Sequence, residues 1–224
     1  MSDRVLGPGP RTRVRRLAKK AAYDEATVFA ILDEARFCHV AAVLDGRAVA
    51  LPTLHAREGL DLFLHGSPSN SVLKAALAQG EACVTVTIYD GLRLARSGFE
   101  SSIAYRSVVV YGAASLVVDE DEKRRILDGF VDVVLPGRQR EVRALTEGEL
   151  RLTMVVRVHI DEASAKVSEG PTEDDPQDQA LPIWSGTVPA RLTFATPEPS
   201  SDGAMAEGEI AVPASVQRLL QGDA

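Results

Sequence analysis

The sequence predicts a mainly β fold: a small closed or half-closed antiparallel barrel with helices at its rims. Short apolar runs alternate with Gly-containing turns too brief for a parallel crossover. Only three helical periodicities interrupt them, and strand–helix–strand alternation is missing. Of the 224 residues 45% are hydrophobic and 25% charged, enough apolar material for one core with appendages, which excludes a disordered chain.

Residues 1–22 read as a basic arm, in which Arg11, Arg13, Arg15, Arg16, Lys19 and Lys20 concentrate. No aromatic residue interleaves for base stacking and the net charge is −7, so nucleic acid is not an expected partner. Residues 23–167 carry the barrel pattern. Asp24 can cap a helix over about 25–35, with Val28, Ile31, Leu32 and Ala35 on one face. Runs at 37–44, 47–56 and 60–65, turned at Asp45-Gly46 and Glu58-Gly59, predict a three-stranded meander. A short helix fits 69–79, with Leu73, Ala76 and Leu77 facing inward. A strand over 82–89, a loop from Asp90 to about Ser101 and a long strand over 103–119 follow, and Gly112 marks a bulge or bend in the last. The segment 119–134 is a helix with acid at its start and Ile126, Leu127, Phe130, Val131 and Val134 as its stripe, ended by Pro136. Residues 152–161 make the final barrel strand. Residues 168–224 form an acidic, Pro-rich linker and extension; 182–194 regains β character and holds Trp184.

Cys38 and Cys83 lie in apolar runs outside any CxxC pair, which reads as buried thiols in a reducing compartment. No apolar stretch has the length of a signal core or a membrane span, so the expected location is the cytoplasm, away from membranes. His39, His55, His65 and His159 share no metal-ligand spacing. GxSxG, GxGxxG and Walker loops are missing. The informative stretch is His65-Gly66-Ser67-Pro68-Ser69-Asn70-Ser71, a strand end entering a helix, with Lys74 one turn in. Such a loop gathers backbone N–H groups and hydroxyls suited to an anion, or simply caps the helix through Ser69 or Asn70. Arg93, Arg96 and Arg106 add cations near the start of the long strand.

The ordered set YDEATVFAILDEA (23–35), CHVAAV (38–43), LPTLHAR (51–57), LFLHGS (62–67), VTVTIYDGLRLARS (84–97), YRSVVVYG (105–112) and PIWSGTVP (182–189) resembles the pyridoxamine 5'-phosphate oxidase-related, flavin-nucleotide-binding split-barrel family, in its nitroimidazole-reductase-like branch. The resemblance implies an FMN-binding split β-barrel homodimer with the flavin in clefts between subunits, acting as an oxidoreductase on a small molecule. The cofactor-side residues it implies are Pro52, Thr53, Leu54, His55, His65, Gly66, Ser67, Ser69, Asn70, Ser71, Lys74, Arg96 and Ser107, with Trp184 as a lid. No catalytic residue follows from it.

This chain departs from the family pattern in the turn after HGS, where Asn70-Ser71 stands in place of Ser-Arg, so Lys74 would have to replace a bidentate phosphate donor. His55 stands where tyrosine is usual and His159 where proline is usual. Two alternatives therefore remain beside FMN: haem or a deazaflavin in the same fold, with His55, His65 and His159 as axial candidates for haem, or a non-catalytic module that binds or senses a flavin.

Overall fold

The computed structural model describes residues 4–206 and 210–222. Parts of the basic arm and of the acidic extension, at 1–3, 207–209 and 223–224, lie outside the described residues. After a two-residue strand β1 (Ala21–Ala22), helix α1 (Glu25–Glu34) opens where Asp24 accepts a hydrogen bond from the Thr27 amide and buries Val28, Ile31 and Leu32. The hairpin β2 (Cys38–Leu44) and β3 (Arg47–Thr53) turns at Asp45-Gly46, both with positive φ, the geometry of a two-residue hairpin loop.

The chain then departs from the meander. The run 47–56 is two strands, β3 and β4 (His55–Glu58), broken at Leu54, and β4 pairs with β5 (Asp61–Gly66). β5 in turn pairs with β8 (Met154–Ser168) and not with β3. The sheet runs β3-β2-β6-β7-β8-β5-β4, so consecutive β3 and β4 lie at its opposite ends. Continuous apolarity across RAVALPTLHA conceals the break, because periodicity reports a face and not a partner. Pro52 is tolerated because β3 is an edge strand.

Helix α2 (Ser71–Gln79) ends at Gly80 in the left-handed conformation. β6 (Glu81–Leu94) takes up the first part of the expected 90–101 loop, through Leu94; its register with β7 (Ser102–Leu116) shifts between Tyr89 and Gly91, which interrupts the alternation there. The irregularity expected at Gly112 is present as a shift between Tyr111 and Gly112, against β8. A Cβ at Gly112 would stand 1.9 Å from the His159 carbonyl oxygen, so that close approach requires glycine. Helix α3 (Glu120–Val134) follows its Asp119 cap and buries Ile126, Leu127 and Phe130. Residues 147–153 belong to a short helix α4 (Glu147–Leu152), capped reciprocally by Thr146 and Glu149, and its C-cap. The last barrel strand consequently starts at Met154 and runs on to Ser168. β9 (Gly186–Pro189) adds to the end of β6, and two further helices, α5 (Gly203–Ala206) and α6 (Ala214–Gln221), close the chain.

Two cores result. Inside the curled sheet, Val40, Leu62, Leu64, Val84, Val86, Val108, Val110 and Val158 pack with α1 and α2. Outside the β5–β8 ribbon, Phe63 and Val155 pack with Ile126, Leu127 and Phe130 of α3 and Leu150 of α4. β5 is therefore covered on both faces, which accounts for its unbroken apolar run LFL. The arm lies on the barrel: Arg11 bonds Glu81 and Glu162, Thr12 donates to Glu162, and Val14 N–H donates to the Tyr23 hydroxyl.

Candidate functional site

β4 and β5 bring some of the sequence candidates together. His55 stands opposite Leu64, next to His65 at the end of β5, and the chain runs from there through Ser67 to the start of α2, whereas Pro52 and Thr53 pair with His39 and Cys38 of β2. The alternation of β5 then separates the two histidines. Leu64 faces the barrel interior and Phe63 the α3 side, so His55 points inward and His65 outward.

His55 is 3% exposed and its Nε2–H donates to the Leu32 carbonyl at 2.8 Å, while Nδ1 is buried without a partner. Burial holds its pKa below the usual imidazole value. His65 packs edge-to-face on Phe130, ring centroids 4.3 Å apart, and its Nδ1 is also buried and unpartnered. Desolvation alone lowers its pKa, so the ring is neutral and offers a lone pair. His159 instead pairs through Nδ1 with Asp61 at 2.7 Å on the exposed edge of the same face.

The loop after His65 uses most of its donors internally. Ser67 and Ser69 hydroxyls bond each other at 2.9 Å, the Ser69 amide donates to Ser67 Oγ, and Asn70 Oδ1 accepts from the Val72 and Leu73 amides. Asn70 is thus the helix cap. Lys74 is exposed on the first turn of α2. Close by, Pro68 and Lys123 help line a cavity of about 410 Å³ against Val117, Leu150 and Met154.

Arg96, Ser107 and Trp184 lie elsewhere in the same chain. Arg96 is paired with Asp174 and donates to Ser185 Oγ at 2.8 Å, beside Trp184, whose indole covers Gly186 and is 65% exposed. Ser107 stands on the outer face of β7, opposite Thr87 of β6 and Lys166 of β8. Arg93, which the sequence places only among the cations near the long strand, is buried, donates to Ser168 Oγ and the Pro171 carbonyl, and belongs to no ion pair among the described residues.

The fold defines a split-barrel protein. The family model described as pyridoxamine 5'-phosphate oxidase matches residues 24–167, and the chain belongs to that family. It is similar to the flavocytochrome Anf3 from Azotobacter vinelandii at 36% identity and TM-score 0.87, over 94% of this chain and 97% of that one. It is also similar to an FAD and haem binding protein from Mycobacterium smegmatis at 36% identity and TM-score 0.82, over 89% and 97%. A Bacteroides thetaiotaomicron structure described as a 5-nitroimidazole antibiotic resistance protein shares the fold, at 22% identity and TM-score 0.56, over 66% and 86%. None of the curated proteins matches the chain.

Proposed function

We propose that this protein is an oxidoreductase of small molecules that binds both a flavin nucleotide and haem and works as a homodimer. The observation that carries the reading is His65, a neutral, partly buried imidazole whose unpartnered nitrogen lies in an apolar wall on Phe130. An imidazole in that state fits an iron ligand. His55 fits less well because Nε2 is engaged by Leu32, and His159 less well because its Nδ1 is engaged by Asp61 at an exposed edge. The two relatives at 36% identity support the reading because they match most of the chain, over 94% and 89% of its length.

When bound, haem supplies a one-electron centre and the flavin exchanges electrons in ones or pairs. Phe130 fixes the His65 ring, and Phe63 and Val155 keep water from that side of the strand. Ser67, Ser69 and Lys74 would supply hydroxyls and one cation to a flavin nucleotide's phosphate, Lys74 offering a point charge in place of a bidentate donor. The second subunit is supported by an uncovered outer sheet face of small and apolar groups, Ala48, Ala50 and Pro52 of β3 with Val43 of β2 and Tyr89 of β6. The unpaired thiols Cys38 and Cys83 accord with a cytoplasmic setting.

The visible spectrum of the purified protein, with mass spectrometry of the acid-released groups, tests this. Flavin bands together with a Soret band are expected, and His65→Ala should abolish the Soret band while flavin is retained. A protein that takes up neither group, or a His65→Ala variant with its Soret band intact, overturns the assignment.

A further inference from the structure

We infer that Lys20, Arg93, Lys166 and Ser168 form a binding site for a phosphate group, separate from the His65 neighbourhood. Gly66 pairs with Met154 at the start of β8, whereas Ser168 ends that strand. Arg93 is 7% exposed, yet no carboxylate among the described residues pairs with it. Its Nη1 reaches Ser168 Oγ at 3.4 Å, its Nη2 donates to the Pro171 carbonyl, and its Nε is buried without a partner. Lys20 Nζ donates to the same Ser168 Oγ at 3.0 Å. Two cations thus converge on one neutral hydroxyl that is itself 3% exposed. Arg96, three residues further on, shows the contrast, for Asp174 answers its charge.

A buried guanidinium without a counter-charge is costly, and the arrangement is one that an anion relieves. The acid closest in field is Glu173, exposed and held by Lys19 at 3.2 Å. Desolvation lowers the Lys20 pKa, and the charges of Arg93, Lys19 and Lys166 lower it further against the opposing pull of Glu173, so the cluster carries excess positive charge. Lys166 stands between Ala21 of β1 and Ser107 of β7, which adds a second hydroxyl alongside. A planar fork, a point charge and hydroxyls suit phosphate oxygens. The phosphate could be that of a nucleotide cofactor or of a free phosphorylated molecule.

Titration of the full chain, freed of any bound flavin so that a cofactor phosphate cannot already fill the site, with inorganic pyrophosphate in a calorimeter at constant ionic strength tests the site. Saturable binding is expected, weakened about tenfold or more in Lys20→Gln. Glu173→Gln should bind more tightly, since it removes the competing carboxylate; both positions are near the surface, and unchanged melting verifies the fold. No saturable binding by the unaltered protein, or equal affinity in Lys20→Gln, overturns the site. Given weakened binding, a loss of flavin content in purified Lys20→Gln identifies the nucleotide as the source, and unchanged content identifies a free phosphorylated molecule.

Discussion

His55 and His65 sit on paired strands with opposite outlooks, and both are held neutral by burial. The unfolded chain therefore binds more protons than the folded one once the pH falls below about 6.5, and folding stability declines from there downward until the lowered folded values are passed. The melting temperature is expected to drop between about pH 7 and pH 5.5, and His55→Gln should flatten that slope. Carboxylates held below their usual range, such as Glu34 beside Arg106 and Asp24 at its cap, take over at more acid pH. His55→Ala, which loses the bond to Leu32 and leaves a cavity, should cost about 2–3 kcal/mol in chemical denaturation. At this scale the sequence pointed to two segments that β4–β5 pairing joins at one position, His55 opposite Leu64. It could not say which way each ring faces, because that depends on β4 pairing with β5.

Single glycines hold the long strands in place. Gly112→Ala would drive a methyl group into the His159 backbone, and a loss of more than about 3 kcal/mol is expected on thermal unfolding. Gly91, with φ of 140°, lies where a Cβ would stand 2.3 Å from the Val188 carbonyl oxygen. Gly91→Ala should therefore detach β9 and leave the barrel folded, seen as faster protease cleavage within 182–194 at a nearly unchanged melting temperature. Helices α1, α2 and α3 were legible because caps and apolar stripes are local signals, as Asp24 and Asp119 show, whereas the short α4 and the helices of the extension were not. The strand ends were not, since β6 continues through Asp90-Gly91 and β8 through Asp161-Glu162, where polar residues serve contacts with distant segments: Asp90 binds Arg106, and Glu162 binds Arg11 and Thr12.

For the whole molecule, the open face of β3, β2 and β6 is the feature that a second copy would cover. Light scattering should give twice the 24.0 kDa chain mass, and Ala50→Asp on that face should shift the species toward monomer without unfolding it. The extension is tied down at both ends, by Asp174 on Arg96 and by Glu141 accepting from the Ser215 amide at the start of α6. Glu141→Ala should release α6 and increase its hydrogen exchange.

The passage from β3 to β4 through Leu54 also sets an order of events during synthesis. The β4–β5 ribbon emerges early, but the strand that pairs with its free edge, β8, is among the last parts of the barrel to leave the ribosome. Until then the backbone of Asp61–Gly66 is an unsatisfied edge carrying Leu62, Phe63 and Leu64, open to pairing with another nascent chain. A chain that stalls or is cut before Met154 is for this reason a seed for aggregation, and the cell's chaperones would have to shield that one short strand.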